Sequence, residues 1–176
     1  MGVATGLAKR RELASAVFEL SAALSFYHNR YYSGEISDSF SMLCVPVRFG
    51  WFVWKGLEIE PEISMFFPLR SDGGSVRHYF EAKVVYNFKA SGKLIPFLGG
   101  TTGWGNGLPK RAWNYGGGKV RTMADGLVAG LKIRIGPAAA LRAEYKLVLY
   151  SWREAGGLYR EGGTLHHGSI GLSIFF

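Results

Sequence analysis

Apolar and polar residues alternate with a period of two along eight segments of this chain. In the last segment Ile170, Leu172, Ile174 and Phe176 are apolar, and small or polar residues stand between most of them. Alternation of this kind predicts β-strands with one apolar face. No stretch shows an amphipathic helical period of useful length, so the chain is predicted to be all-β.

The connections between the eight predicted strands alternate in length. Three are short, at residues 54–56, 89–93 and 135–137, and four are longer, at about 27–39, 68–77, 105–121 and 151–164. Short periplasmic turns and longer extracellular loops are typical of outer-membrane barrels. The predicted fold is therefore a closed, eight-stranded, antiparallel, up-and-down transmembrane β-barrel with three short periplasmic turns and four longer extracellular loops.

The polar faces of the strands decide which side of the barrel is inside. An eight-stranded barrel is either a soluble cup with apolar residues inward or a membrane barrel turned the other way. The apolar faces carry almost no charge over about ten residues per strand, near the length that a tilted strand needs to cross a bilayer. The polar faces carry balanced charges that are predicted to form an ion-pair network in the lumen: Glu19, Arg48, Glu58, Glu60, Glu62, Glu81, Lys83, Lys132, Arg134, Arg142, Glu144 and Lys146.

Aromatic residues gather near both ends of the predicted strands. Bands of aromatic rings are expected where a membrane protein meets the lipid headgroups. The band at the short-turn end comprises Trp51, Phe52, Trp54, Phe88 and Phe176. The band at the long-loop end comprises Phe26, Tyr27, Phe66, Phe67, Trp104, Tyr150 and Trp152.

Three segments carry a resemblance to a known family: VPVRFGWFVWKGLEIEPEIS, ALRAEYKL and the terminal GSIGLSIFF. Over residues 12–176 the chain resembles the outer-membrane protein β-barrel domain of the small OmpA/OmpX type. The resemblance implies a bacterial outer-membrane location with both termini in the periplasm. It also implies an assembly signal that the barrel-assembly machinery recognises, formed by Phe176, Ile174, Leu172 and Ile170. Phe175 departs from the family, whose members often carry a polar or basic residue there.

The N-terminal residues do not read as a secretory signal, because the basic residues follow the weakly apolar stretch instead of preceding it. Residues 1–11 are predicted to be a periplasmic tail, or residues foreign to the mature protein. Residues 12–176 are predicted to form the barrel.

The net charge of +8 over 176 residues points to an anionic partner. The predicted lumen is neutral, so the excess lies elsewhere, chiefly in the long loops. Phosphates of lipopolysaccharide and other outer-membrane lipids are the predicted partners, the alternative being a basic loop that is merely solvated; nucleic acid is not expected. The candidate residues are Arg70, Arg77, Lys110, Arg111, Lys119, Arg121, Arg153 and Arg160.

Candidate catalytic chemistry is sparse. The single Cys44 excludes an intramolecular disulfide and a cysteine metal cluster, and no cofactor or metal is expected. His167, Ser169 and Glu144 are similar to the Ser/His/acid set of lipid A deacylases, but they are predicted to face the lumen. We therefore expect a structural or surface-interaction protein and not an enzyme. The alternatives are a lipid-modifying enzyme, or a barrel subunit that binds another envelope protein in a larger complex.

The alternation of odd-numbered and even-numbered residues between the two faces of a strand predicts one contact in the lumen. Opposed residues in an antiparallel pair lie on the same face, so Arg48 on the second strand must oppose an even-numbered residue of the third. A three-residue loop at 54–56 pairs Val53 with Leu57, leaves Gly56 in the left-handed conformation and sets Arg48 opposite Glu62. Prolines within strands remove a ladder hydrogen bond, so bulges are predicted at Pro46, Pro61 and Pro96.

Overall fold

The computed structural model describes residues 18–33, 36–69, 76–88, 92–105, 121–153 and 160–176. Within these ranges the chain forms eight β-strands, as the alternation predicted. They are β1 (Phe18–Ser33), β2 (Ile36–Trp54), β3 (Leu57–Pro68), β4 (Arg77–Asn87), β5 (Leu94–Gly105), β6 (Arg121–Arg134), β7 (Ala139–Arg153) and β8 (Arg160–Phe175). The predicted N-terminal tail, residues 1–11, lies outside the described residues.

The strands form one closed antiparallel barrel in chain order, which confirms the predicted fold class. β8 closes against β1, with Glu19 opposite Phe175 and Leu24 opposite Ile170. At the short-turn end of this seam the backbones of Phe18 and Phe176 exchange two hydrogen bonds of 3.0 and 3.1 Å. The barrel therefore has no open strand edge at this junction.

The first long connection differs from the prediction. β1 and β2 stay paired as far as Ser33 and Ile36, so most of the residues assigned to that connection are strand. Continued pairing satisfies the backbone groups of the two strands beyond the membrane without help from other elements.

The turn between β2 and β3 differs from the predicted three-residue loop, although the register beyond it is the predicted one. Trp54, and not Val53, lies opposite Leu57, and the register then shifts between Phe52 and Trp54. After the shift, even-numbered residues of β2 again oppose even-numbered residues of β3, and Arg48 lies opposite Glu62 as predicted. Gly56 has a φ of 87°, the left-handed conformation expected of it.

The prolines do not shift the register, so the prediction of bulges at these positions was wrong. Pro46 lies opposite Ser64, Pro61 opposite Ala82 and Pro96 opposite Leu131, each within an unbroken register. A proline removes one ladder hydrogen bond, whereas a one-residue shift would turn every following side chain to the wrong face.

The wall is apolar outside and charged inside. Outward residues of β8 such as Ile170 are as much as 70% exposed, whereas Arg48, Lys83, Lys132 and Arg142 are at most 1% exposed. This is the inside-out distribution of a membrane barrel. Among the described residues there is no helix long and apolar enough to cross a bilayer.

Two of the predicted interfacial aromatics lie inside the barrel. Phe66 is buried, and Phe52 lies 5.5 Å from the ammonium of Lys132; both continue the inward alternation of their strands. The side chains of Tyr27, Tyr150 and Trp152 lie outside the described residues, and Phe67 is half-buried. Those that point outward are Trp51, Trp54, Phe88 and Phe176 at the short-turn end and Phe26 and Trp104 at the long-loop end.

Replacing Phe176 with alanine is expected to slow barrel closure by about fivefold, which corresponds to about 1 kcal/mol. Its ring lies 5.9 Å from that of Phe18, so the contact spans the β8–β1 seam. Phe88→Ala is the matched control, because Phe88 packs at 5.1 Å on Tyr86 of its own hairpin segment. Refolding into lipid vesicles, followed by heat-modifiable migration on gels, measures the rate. Equal rates for the two variants would contradict the role of Phe176 in closure.

Candidate functional site

The lumen contains a belt of ion pairs between apolar clusters. One cluster lies toward the long-loop end and comprises Met42, Cys44, Phe66, Tyr79, Ala124 and Val148. A second packs against the belt from β4, β5 and β6 and comprises Val85, Phe97 and Val128. Phe52 and Phe175 approach the belt at the short-turn end, where each ring lies within 6 Å of Lys132 Nζ. The aromatic residue at position 175 thus covers a buried ammonium group.

Two basic residues hold the part of the network nearest the short turns. Lys132 Nζ lies 2.5 Å from Glu19 and 2.8 Å from Glu58. Arg142 donates to both carboxylate oxygens of Glu60 at 2.7 and 2.8 Å, a bidentate pair, and to Glu144 at 2.7 Å. The carboxylates of Glu19, Glu58 and Glu60 lie within 4.8 Å of one another, and the ammonium group of Lys132 already supplies their shared cation.

The middle of the network is centred on Arg48 and Lys83. Arg48 Nε lies 2.5 Å from Glu62, and its Nη2 lies 3.2 Å from Glu144. Lys83 Nζ lies 2.7 Å from Glu62 and 3.1 Å from Glu144. Each of the four groups has at least two oppositely charged neighbours, which is the condition for keeping buried charges ionised.

In the part of the network nearest the long loops, Lys146 Nζ lies 2.6 Å from a carboxylate oxygen of Glu81 and 3.1 Å from one of Glu62. Glu81 also accepts a hydrogen bond from Thr101. At the opposite end Asn87 donates to Glu58 at 2.9 Å. Eleven of the twelve predicted lumen residues therefore lie in one connected set, which we call the lumen network.

Arg134 is the twelfth, and it lies outside the lumen network. It stands at the short-turn end of β6, is half-buried, and makes no ion pair with a described residue. Gly50 makes room for the network, because a Cβ there would collide with Glu58 Oε1.

The lumen is filled. The cavity between Phe66, Tyr79, Lys146 and His167 has a volume of about 10 Å³, about the space of a single water molecule. Together with the network below it, this packing leaves no open channel through the part of the barrel that the structure describes.

The residues of the catalytic alternative contact other side chains of the lumen. His167 Nε2 lies 2.7 Å from Ser25 Oγ, not from Ser169. Ser169 accepts a hydrogen bond from Arg48 at 3.3 Å, and Glu144 is shared between basic residues. Cys44 is fully buried in the apolar cluster. The contacts of His167, Ser169 and Glu144 thus belong to the packing and the ion pairs of the lumen.

The outer wall carries a polar pair that no sequence motif indicates. The hydroxyl of Tyr145 and Nδ1 of His166 lie 2.5 Å apart, and both residues are exposed on the apolar face. Alternation could have found His166, because it shares the even parity of Ile170 and Ile174 on β8. A lipid-facing hydrogen-bonded pair is unusual, because polar groups in hydrocarbon are costly.

The rim brings three of the predicted anion-binding residues together. Arg121 lies directly opposite Arg153, and Arg153 lies directly opposite Arg160, so the three occupy adjacent positions on β6, β7 and β8. We call this set the arginine row. Arg77 begins β4 on another part of the rim and is half-buried. Arg70, Lys110, Arg111 and Lys119 lie outside the described residues.

Solved membrane barrels resemble this chain in structure. Neisserial surface protein A (NspA) matches with a TM-score of 0.62 and 14% identity, covering 92% of this chain and 98% of its own. The N-terminal β-barrel domain of Pseudomonas aeruginosa OprF matches with a TM-score of 0.53 and 13% identity, covering 92% and 98%. The fold is that of the small eight-stranded outer-membrane barrels.

A de novo designed transmembrane β-barrel has this fold as well, with a TM-score of 0.53 and 13% identity over 92% of this chain and 97% of the design. No family model matches the sequence, and no curated protein matches it. The small-barrel likeness is therefore one of fold, and function must be argued from the site.

Replacing Arg48 with methionine is expected to lower the free energy of unfolding by about 3 kcal/mol, because Glu62 loses its nearest guanidinium while buried. Arg48→Met combined with Glu62→Gln is expected to recover much of that loss. In the double variant Glu144 keeps Arg142 and Lys83, and Lys146 keeps Glu81.

Urea unfolding in lipid vesicles measures both variants, and Glu62→Gln alone completes the double-mutant cycle. A double variant as unstable as the sum of its two single changes would contradict the pairing of Arg48 with Glu62.

Proposed function

We propose that this protein resides in a bacterial outer membrane with its long-loop end outside and binds phosphate-bearing surface lipids, lipopolysaccharide among them. The register of the arginine row carries the proposal. Like charges at directly opposed strand positions are destabilising, and here Arg121, Arg153 and Arg160 form two such pairs. A phosphate group between arginines removes that repulsion and accepts bidentate hydrogen bonds.

The height of the arginine row supports a phosphorylated surface layer as its partner. Arg160 precedes Phe176 by sixteen residues on β8, which is roughly 40 Å of height at about 3.3 Å per residue and a tilt of about 40°. The apolar band of such barrels is about 25 Å tall. The row would then stand roughly 15 Å above the hydrocarbon, at the depth of charged headgroups and the saccharides attached to them.

The proposed role is binding without chemistry. Within the described residues the filled lumen offers no path for transport, and the hydrogen bonds of His167 with Ser25 and of Ser169 with Arg48 favour a structural role for both residues. Lipid A from cells that express the protein is therefore expected to keep its mass. The loss of an acyl chain on expression would favour the lipid-modifying alternative.

Replacing the arginine row with glutamine (Arg121→Gln, Arg153→Gln and Arg160→Gln together) is expected to weaken lipopolysaccharide binding by about tenfold or more, since each charged hydrogen bond contributes about 1.5–3 kcal/mol. The measurement is the rise in unfolding temperature when lipopolysaccharide is added to protein in phosphatidylcholine nanodiscs. Added salt should reduce the rise for the natural protein.

The matched control removes the same charge elsewhere, through Lys9→Gln, Arg10→Gln and Arg11→Gln in the predicted N-terminal tail. It is expected to leave the lipopolysaccharide effect unchanged. Equal losses in the two triple variants would show an effect of net charge alone, and no loss in either would contradict the proposal.

A further inference from the structure

The apolar wall that faces lipid carries a groove across β6, β7, β8 and β1, with a volume of about 660 Å³. Its floor consists of small outward residues: Ala129, Ala143 and Gly168. Large outward side chains flank them: Leu24, Phe26 and Ile170. We call this feature the outer-wall groove. The groove is apolar, and at its level the acyl chains of the membrane lipids surround the barrel.

Gly168 leaves the groove open. It lies opposite Tyr145, which in turn lies opposite Ala129, and a Cβ built at Gly168 would meet no atom within 4 Å. The position therefore has room for a side chain that the sequence does not supply. An unfilled space of this kind forfeits dispersion contacts unless another molecule occupies it.

One wall of the groove ends in hydrogen-bonding groups. Tyr145 lines the groove, and its hydroxyl lies 2.5 Å from Nδ1 of His166. The second ring nitrogen of His166 makes no hydrogen bond to any residue that the structure describes. Among the residues that the structure describes it therefore has no partner, and an oxygen atom of a lipid at the interface is a suitable acceptor or donor for it.

The depth of these residues matches one leaflet. On β8, Ile170 lies six residues before Phe176, and His166 lies ten residues before Phe176. With the same rise and tilt as above, they stand roughly 15 and 25 Å above the aromatic band at the short turns. The groove thus lies in the half of the hydrocarbon nearer the long loops, and the polar pair lies at the border of that half, where ester and hydroxyl oxygens of lipids begin.

We propose that the outer-wall groove is a binding site for one acyl chain of a membrane lipid in the leaflet nearer the long loops, whose ester or hydroxyl oxygen is hydrogen-bonded by the Tyr145–His166 pair. The inference rests on the membrane location proposed above. Three of the four strands that form the groove, β6, β7 and β8, also carry the arginine row, so a lipid whose phosphates are attracted to the row lies on the same side of the barrel as the groove. A polar pair placed at the interface end fits a lipid, which is polar only at that end.

The test is native mass spectrometry of detergent-solubilised protein with diacylglycerol as the probe, a lipid with ester oxygens and no phosphate. The natural protein is expected to retain one diacylglycerol. Gly168→Leu is expected to lose most of that adduct, because the leucine side chain would occupy the groove from a position where a Cβ meets no atom within 4 Å. His166→Phe and Tyr145→Phe are each expected to weaken retention by about threefold, the effect of one hydrogen bond in a membrane protein.

Gly100→Leu is the matched control. Gly100 is also exposed on the outer wall, and a Cβ there would make one ordinary contact at 3.8 Å, but it does not line the groove. It should retain diacylglycerol as the natural protein does. The variant without the arginine row should retain it too, because the probe has no phosphate; this outcome separates the groove from the proposed function.

Two results would overturn the inference. One is equal retention by Gly168→Leu and Gly100→Leu, which would mean that the adduct lies elsewhere. The other is a dimer that only Gly168→Leu dissociates, which would make a second copy of this chain the occupant of the groove.

Discussion

The barrel depends on the pairing of eleven charged side chains in an interior that excludes water. Removing a carboxylate or an ammonium group from water costs several kcal/mol, and only close opposite charges and hydrogen bonds offset that cost. The network satisfies the condition with shared partners, as when Glu62 contacts Arg48, Lys83 and Lys146. Because side chains alternate along a strand, placing these charges inside also determines which residues face the bilayer.

This constraint explains why the register could be predicted from the sequence when the turn could not. A slip of one residue between β2 and β3 would put Glu58, Glu60 and Glu62 into hydrocarbon. That penalty far exceeds the cost of a local irregularity, so the register shift near Val53 corrects the parity that the two-residue turn would impose. The prolines show the same order of costs. Each removes one ladder hydrogen bond, which costs less than a register shift that would turn the neighbouring side chains to the other face.

Other features depend on contacts that no alternation rule describes. Arg142 on β7 binds Glu60 on β3 across the lumen, and no pairing rule relates strands that are not adjacent. The inward residues of β5 include Gly99 and Gly103, so its two faces differ little in polarity. A Cβ at Gly103 would collide with the hydroxyl of Tyr79, a contact that the sequence of β5 does not reveal. His166 shows a different limit: alternation along β8 is sufficient to place it on the lipid face, but the Ser/His/acid pattern drew attention to His167 instead.

The same strands serve the interior and the outer wall. On β7 Arg142, Glu144 and Lys146 point into the lumen network, and the residues between them, Ala143 and Tyr145, form part of the outer-wall groove. Ion pairs inside therefore restrain the backbone that positions the groove outside. A binding surface on strands whose opposite face is locked in this way keeps its shape better than one built on loops. Because the described part of the interior is filled, the two proposed binding surfaces, the outer-wall groove and the arginine row, lie on the wall and the rim of the barrel.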